Sequence, residues 1–269
     1  MRVSMKYRLF AADIDGTLLN SKSELTDRTV KAVKALIAKG YIFTLSTGRP
    51  LQGIATFVSA LDISDMPFVL FNGALVMHRG EKLYSSDIED DIALRIIDEG
   101  HKRDSTMICW SDNRLYAETE NEKSAFYKSV SRVEPIIIKD LKKVVENGQN
   151  ITKIVWYDDP VSTPEYFFEM KELLGDKVSV YPSRKDFLEF VSVNCSKATA
   201  LETIGKRLNI SREEIIAAGD GYNDLPMLEY AGLSVAMGNA ETAVKEKCDV
   251  VALSCDEDGL ADFIENNLL

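Results

Sequence analysis

Apolar positions along this chain follow two rhythms. Near the N-terminus a continuous run, Leu9-Phe10-Ala11-Ala12, reads as a buried strand of a parallel sheet. Residues 25–38 then repeat at helical spacing, with Val30, Val33, Leu36 and Ile37 on one face, Thr26 or Asp27 as cap, and Lys39-Gly40 as the stop. Residues 41–46 predict a second strand, 51–61 a helix and 68–71 a third strand. This alternation implies an α/β fold with a parallel sheet and right-handed crossovers.

The middle of the chain departs from that rhythm. Residues 90–102 suggest a helix, and 105–110 and 114–118 two strands of a hairpin turning at Ser111-Asp112-Asn113. Residues 136–138, 152–157 and 177–181 are further strand candidates, with a helix over 164–174. Alternation resumes with strands at 187–193, 215–218, 233–237 and 250–253 and helices at 196–208, 225–230, 241–247 and 259–266. The organisation expected is a discontinuous Rossmann-like parallel-sheet core, residues 1–82 and 186–269, interrupted by an α+β unit at 83–185.

Polar residues gather where the predicted strands of the core end, which is where open α/β sheets bind ligands. Asp13 and Asp15 follow the first strand, and Gly16 allows a turn that would bring both carboxylates to one point. Two carboxylates so close repel unless a cation or shared proton offsets them. An ordinary Asp-Gly turn with solvated carboxylates also fits. Leu45-Ser46-Thr47-Gly48-Arg49 offers a hydroxyl and backbone amides for a phosphate, or a plain helix cap. Strand alternation points Ser46 and Thr47 in opposite directions, so one of the two serves. Lys197 opens a helix, where the dipole disfavours a cation, and so suggests a task such as neutralising phosphate oxygens; a solvated lysine is the alternative. Gly219-Asp220-Gly221-Tyr222-Asn223-Asp224 crowds two carboxylates and an amide between glycines, as a hard-cation site would, although Asp224 also suits a helix cap.

Composition narrows the classes. A formal charge of -11 over 269 residues argues against a nucleic-acid binder. An anionic substrate stays open, because a local cation can reverse the sign of a site. Cys109, Cys195, Cys248 and Cys255 form no Cys-x-x-Cys pair and fit free thiols in a reducing cytoplasm. The N-terminus is too polar and short for a signal peptide, and no apolar stretch approaches a membrane span. Oligomeric state is not readable.

Taken in order, Asp13-Ile14-Asp15-Gly16-Thr17, Thr47-Gly48-Arg49, Asn72-Gly73-Ala74, Lys197 and Gly219–Asp224 resemble the motifs of the haloacid dehalogenase superfamily of aspartate-nucleophile phosphatases. Val235-Ala236-Met237-Gly238-Asn239-Ala240 and Glu257-Asp258-Gly259 are similar to its Cof-type sugar-phosphatase branch, which carries a large α+β cap. Ala198 departs from the glycine often found after the lysine. The resemblance implies that Asp13 is the nucleophile forming an aspartyl-phosphate and Asp15 the acid and base. It implies Mg²⁺ held by Asp13, Asp15 (through its backbone carbonyl) and Asp220, with Asp224 orienting the metal's surroundings or Lys197. Thr47, Gly48, Lys197 and Asn223 would bind the phosphoryl group, and Arg49 and Asn72 are candidates to touch substrate.

The cap would close over the cleft and exclude water. Trp110, Arg114, Tyr157, Tyr181 and Arg184 could reach a sugar, but packing suits each better; His78 and His101 read as solvated surface residues. The substrate expected is a small phosphorylated metabolite. A phosphohexomutase and a non-catalytic phospho-ligand sensor are the rival readings.

Overall fold

The apolar run Leu9–Ala12 becomes a central strand in the computed structural model of the protein, which describes residues 6–269. Residues 1–5, part of the polar N-terminus weighed above against a signal peptide, lie outside the described residues. The chain divides into two units. The first comprises residues up to Gly48, Ile54–Tyr84 and Ser196–Leu269, and the second comprises Arg49–Gly53 and Ser85–Cys195.

An eight-stranded sheet organises the first unit, in the order Val250–Val251, Leu233–Ala236, Ile215–Gly219, Leu9–Ala12, Ile42–Ser46, Pro67–Leu70, Leu75–His78 and Glu81–Ser85. The first six strands are mutually parallel, and Leu75–His78 runs antiparallel to Pro67–Leu70. Leu9 pairs with Ile215 on one side and Ile42 on the other. Both faces of Leu9–Ala12 are therefore covered, which explains a run without alternation. On one face Leu9, Ala11, Ile215 and Ala217 pack against Ala200, Leu201 and Ile204 of helix Lys197–Leu208 and against Met227 and Leu228. On the other, Phe10 stacks on Phe43 at 5.8 Å and meets Phe263 of helix Gly259–Asn267 at 6.4 Å. Because the chain leaves the Leu9 strand toward Ile42–Ser46 while Ile215–Gly219 lies on its other flank, the strand order reverses here, and the crevice opens at the strands' carboxyl ends.

The second unit carries a six-stranded sheet in the order Val178–Arg184, Phe187–Ser192, Ile151–Tyr157, Thr106–Ser111, Arg114–Ala117 and Ile136–Ile137. All its pairings are antiparallel except the last. Ile92, Ile96 and Ile97 of helix Asp90–Lys102, Met170 and Leu174 of helix Ser162–Leu174, and Val144 and Val145 cover one face, over Cys109, Ile154, Trp156 and Phe190.

Sequence and structure part company at several elements. The strand expected to resume the core sheet at 187 instead joins the second sheet, antiparallel to both neighbours, so the boundary falls at Cys195/Ser196 rather than at 185/186. Every residue of Phe187–Ser192 is buried, and a strand covered on both faces reads the same whichever way its neighbours run. Strands Leu75–His78 and Glu81–Ser85, and helices Glu122–Ser131 and Lys142–Glu146, were not anticipated, being short or weakly amphipathic. All four cysteines are free thiols. No described helix is long and apolar enough to cross a membrane.

One close approach ties the core together. Gly73 has φ +105°, and a Cβ there would lie 2.2 Å from the Ser196 carbonyl oxygen, at the entry to the Lys197 helix. Gly73→Ala is expected to destabilise the protein by about 2 kcal/mol or more, read as a lowered denaturant midpoint, because both the backbone conformation and the space are lost.

Candidate active site

Four loops, each leaving the carboxyl end of a core strand, meet the N-terminus of the Lys197 helix. Asp13 follows strand Leu9–Ala12 directly, and its N–H donates to the Ala218 carbonyl at 3.0 Å. It is 6 % exposed. Lys197, 1 % exposed, reaches from the first helical position, capped by the Ser196 hydroxyl. Its ammonium donates to Asp13 Oδ1 at 2.7 Å, to Asp224 Oδ1 at 2.6 Å and to the Ser46 carbonyl at 2.8 Å. All three ammonium protons therefore have acceptors, the condition under which a buried cation is tolerated.

Asp224 has both oxygens in use. Oδ1 accepts from Lys197, while Oδ2 accepts from the Asp220 N–H at 3.1 Å and the Gly221 N–H at 2.9 Å. It braces the lysine and closes its own loop. Asp220 is held from the other side, by Thr17 Oγ1 donating to its Oδ1 at 2.9 Å. Gly16, at φ +81°, leaves the room that this carboxylate fills, since a Cβ would lie 2.3 Å from Asp220 Oδ2.

Carboxylate oxygens of Asp13, Asp220 and Asp224 gather within 4.8 Å of one another. Asp15 is exposed and stands outside that group, although its charge bears on Asp220. Burial pushes the Asp13 carboxyl up to about 7; Lys197 opposes the shift, and Asp224 and Asp220 add to it. Burial also raises Asp220, to about 6, with Asp224 and Asp15 contributing. Lys197 loses by burial, yet Asp13 and Asp224 hold its pKa above the ordinary lysine value. Negative charge at this point exceeds what one lysine neutralises.

The phosphate-binding candidates come from neighbouring loops. Thr47 is buried and fixed through its backbone, its N–H donating to Val69 O at 2.9 Å and its carbonyl accepting from Asn72 N at 2.9 Å. Ser46 Oγ is buried with no hydrogen-bond partner among the described residues. Gly48 lies where a Cβ would come within 3.2 Å of the Asn72 amide. Asn223 Nδ2 donates to Asn72 Oδ1 at 3.3 Å, linking the two amides. Phe71, Asn72 and Gly73 all have positive φ (+50°, +57° and +105°). Such a run at a bulky residue is uncommon, and strain of this kind collects at functional sites. Arg49 belongs to Arg49–Gly53, which groups with the second unit, and donates to the Gly53 carbonyl at 3.4 Å.

Two supports stand in the quoted motifs but received no role from the sequence. Thr17 holds Asp220, as described. Asn239, in the loop after strand Leu233–Ala236, donates to the Gly16 carbonyl at 2.9 Å and toward Asp220 Oδ2 at 3.3 Å, while its own Oδ1 accepts from Cys255 N at 2.9 Å. Its place at a fifth strand end was the available signal. In the second unit, Trp110 donates to Tyr127 OH at 2.9 Å, Tyr181 OH donates to Glu189 at 3.2 Å, and Arg184 lies over Phe126 and Phe187. Neither histidine is merely solvated. His101 Nε2 pairs with Glu118 at 2.9 Å, and His78 Nε2–H donates to the Asp65 carbonyl at 3.1 Å.

With this geometry in hand, a family profile described as haloacid dehalogenase-like hydrolase matches residues 10–264. The chain belongs to that family, in its Cof branch, and is a hydrolase of the phosphatase type. A Haemophilus influenzae protein provisionally named a phosphatase is 30 % identical over 267 residues, 97 % of this chain and 98 % of that one. A Bacillus subtilis protein named 5-amino-6-(5-phospho-D-ribitylamino)uracil phosphatase is 27 % identical, covering 96 % of each. A solved Thermotoga maritima structure superposes with a TM-score of 0.90 at 30 % identity, covering 98 % of both chains.

The raised Asp13 carboxyl yields a stability prediction. A carboxyl that binds its proton more tightly folded than unfolded favours folding below its unfolded pKa of about 4 and loses that advantage as pH rises through about 7. In divalent-cation-free buffer, the stability of Asp13→Asn relative to the unsubstituted chain is therefore expected to rise by about 1–3 kcal/mol between pH 5 and pH 8. The gain should shrink toward pH 5, as denaturant unfolding at the two pH values would record.

Proposed function

We propose that this chain hydrolyses small phosphate monoesters through an aspartyl-phosphate on Asp13. The observation that carries the reading is the Lys197 ammonium, 2.7 Å from one Asp13 oxygen, buried, and braced by Asp224. It holds the nucleophile in place and offers positive charge where a phosphoryl oxygen would arrive. Asp13 attacks phosphorus, the bond to the leaving alcohol oxygen breaks, and Asp15 delivers a proton to that oxygen. Water then attacks the aspartyl-phosphate and gives a proton to Asp15, which returns Asp13 and releases inorganic phosphate. Exposure of Asp15 suits a group that exchanges protons with leaving group and water. Thr47, the Gly48 N–H, Lys197 and Asn223 receive the phosphoryl oxygens, and their value lies in positioning.

The donor set fits Mg²⁺. Three carboxylates converge, Asp224 is committed elsewhere, and Asp13 and Asp220 carry charge that burial opposes and a hard cation would relieve. Asp13, the Asp15 backbone carbonyl and Asp220 would hold it. When bound, it supplies charge neutralisation for nucleophile and phosphate.

Sugar phosphates and related phosphorylated polyols are the substrate class proposed. Two Bacillus subtilis relatives are named for a phosphoribityl compound.

The test is phosphate release from a panel of phosphorylated metabolites with and without Mg²⁺. Asp13→Asn should lower kcat by about a thousandfold or more. Release surviving that substitution would displace Asp13 from the nucleophile's role, and phosphoryl return to a second hydroxyl of the substrate would indicate a mutase. Asn239→Ala, which frees one side of Asp220, should raise the Mg²⁺ concentration for half-maximal activity by about 10–100-fold. An unchanged Mg²⁺ requirement would remove Asn239 from that support.

A further inference from the structure

At the amino ends of the same parallel strands, away from the catalytic carboxylates, the first unit holds a cavity of about 360 Å³. Ile42 and Pro67, which begin their strands, form its apolar wall with Met66 and Leu208. Its polar rim is His78, Arg79 and Arg207, against one carboxylate, Asp65. Helix Lys197–Leu208 joins the two places, with Lys197 at its first residue and Leu208 at its last, roughly 16 Å apart along a helix of 12 residues.

The two arginines are exposed and share one rim. The chain carries a formal charge of -11, and Arg8, Arg28, Arg103 and Arg184 each pair with a carboxylate. Arg79 and Arg207, like Arg95, Arg114 and Arg132, have no side-chain ion pair, hydrogen bond or ring contact among the described residues; what sets the two apart is that both line this one cavity. Arg207 lies in the last turn of its helix, where a cation suits the dipole. That account does not extend to Arg79. Arg79 is the first residue of the two-residue turn between strands Leu75–His78 and Glu81–Ser85, with φ +52°, followed by Gly80 at +79°. Turns of this kind favour asparagine, aspartate or glycine at that position. Arg79 and Arg207 thus leave two uncommitted guanidinium groups on the rim of one cavity, the donor set that an anion requires.

We propose that this cavity is a second ligand site, for a small molecule that joins an anionic head to an apolar body of one or two rings. The guanidinium groups of Arg79 and Arg207 take the head, as planar forks suited to phosphate, sulfate or carboxylate. Ile42, Met66, Pro67 and Leu208 take the body, and the volume lies in the range of small-molecule sites. His78 commits its Nε2–H to the Asp65 carbonyl, which fixes the ring on the rim. Asp65 selects against a second acidic group on the ligand.

The probe is 8-anilinonaphthalene-1-sulfonate, which has the required chemistry and no phosphate ester to hydrolyse. Its fluorescence would be titrated against the full chain, with the methyl resonance of Met66 followed by NMR. One saturable site is expected, with the Met66 methyl shifting along the same isotherm. Arg79→Asn, which suits the turn and preserves folding, should weaken binding about fivefold or more, and Arg207→Gln similarly. Asp13→Asn should leave binding unchanged, which separates this cavity from the catalytic site. Inorganic sulfate should compete only weakly, since it brings the head without the body. Unchanged affinity in the double arginine variant, or a Met66 methyl that stays still while fluorescence saturates, would overturn the proposal. Competition by sulfate as strong as that by the probe would overturn the part played by the apolar wall.

Discussion

The first unit is built around a buried ammonium between two buried carboxylates. Lys197 reaches Asp13 at 2.7 Å and Asp224 at 2.6 Å, and each partner stands at the end of a different strand. A buried charge that loses its partners is strongly destabilising, so these groups depend on one another for their placement. The lysine sits at a helix start, where the dipole works against it. Close packing of Gly73 on the Ser196 carbonyl delivers it there nonetheless. The same ammonium also binds the Ser46 carbonyl and so fixes the end of a third strand.

Around that centre the remaining polar groups form a shell with few slack members. Thr17 and Asn239 grip Asp220 from two loops, Asp224 draws the Asp220 and Gly221 amides inward, and Asn72 couples the Thr47 backbone to Asn223. Negative charge is left in excess, and the raised Asp13 and Asp220 carboxyls are its measure. On the function proposed above this frustration has a use, because a cation and a phosphoryl group together would restore the balance.

How much of this was readable depended on what each residue had to do locally. The carboxylates, Lys197 and the glycine loops stand out because they interrupt apolar runs at strand ends, where soluble turns rarely need so many charges. Asn239 was legible as part of a motif but not in its role, since a single amide after a glycine is an ordinary loop residue until its distant partner, Gly16, is known. The strand Phe187–Ser192 was read as part of the wrong sheet. Its burial on both faces erases the alternation that distinguishes an antiparallel strand, and Glu189, the one charged residue in it, is hidden in a pair with Lys153 at 3.1 Å. Pairing direction is a non-local property, and apolar periodicity carries no record of it.

The register of the central strand has a consequence for how the protein is made. Leu9 finds one neighbour in Ile42, but the other, Ile215, is encoded some two hundred residues later, beyond the whole second unit. On the ribosome the first strands must wait, half-paired, through the synthesis of an independent sheet. Non-local parallel pairing is slow and leaves apolar edges open to wrong partners. Asp13 spends that interval without Lys197, an ionised and hydrated carboxylate beside an unfinished sheet. The Asp13–Lys197 pair spans 184 residues, so the candidate cluster cannot form until both halves of the core have been translated.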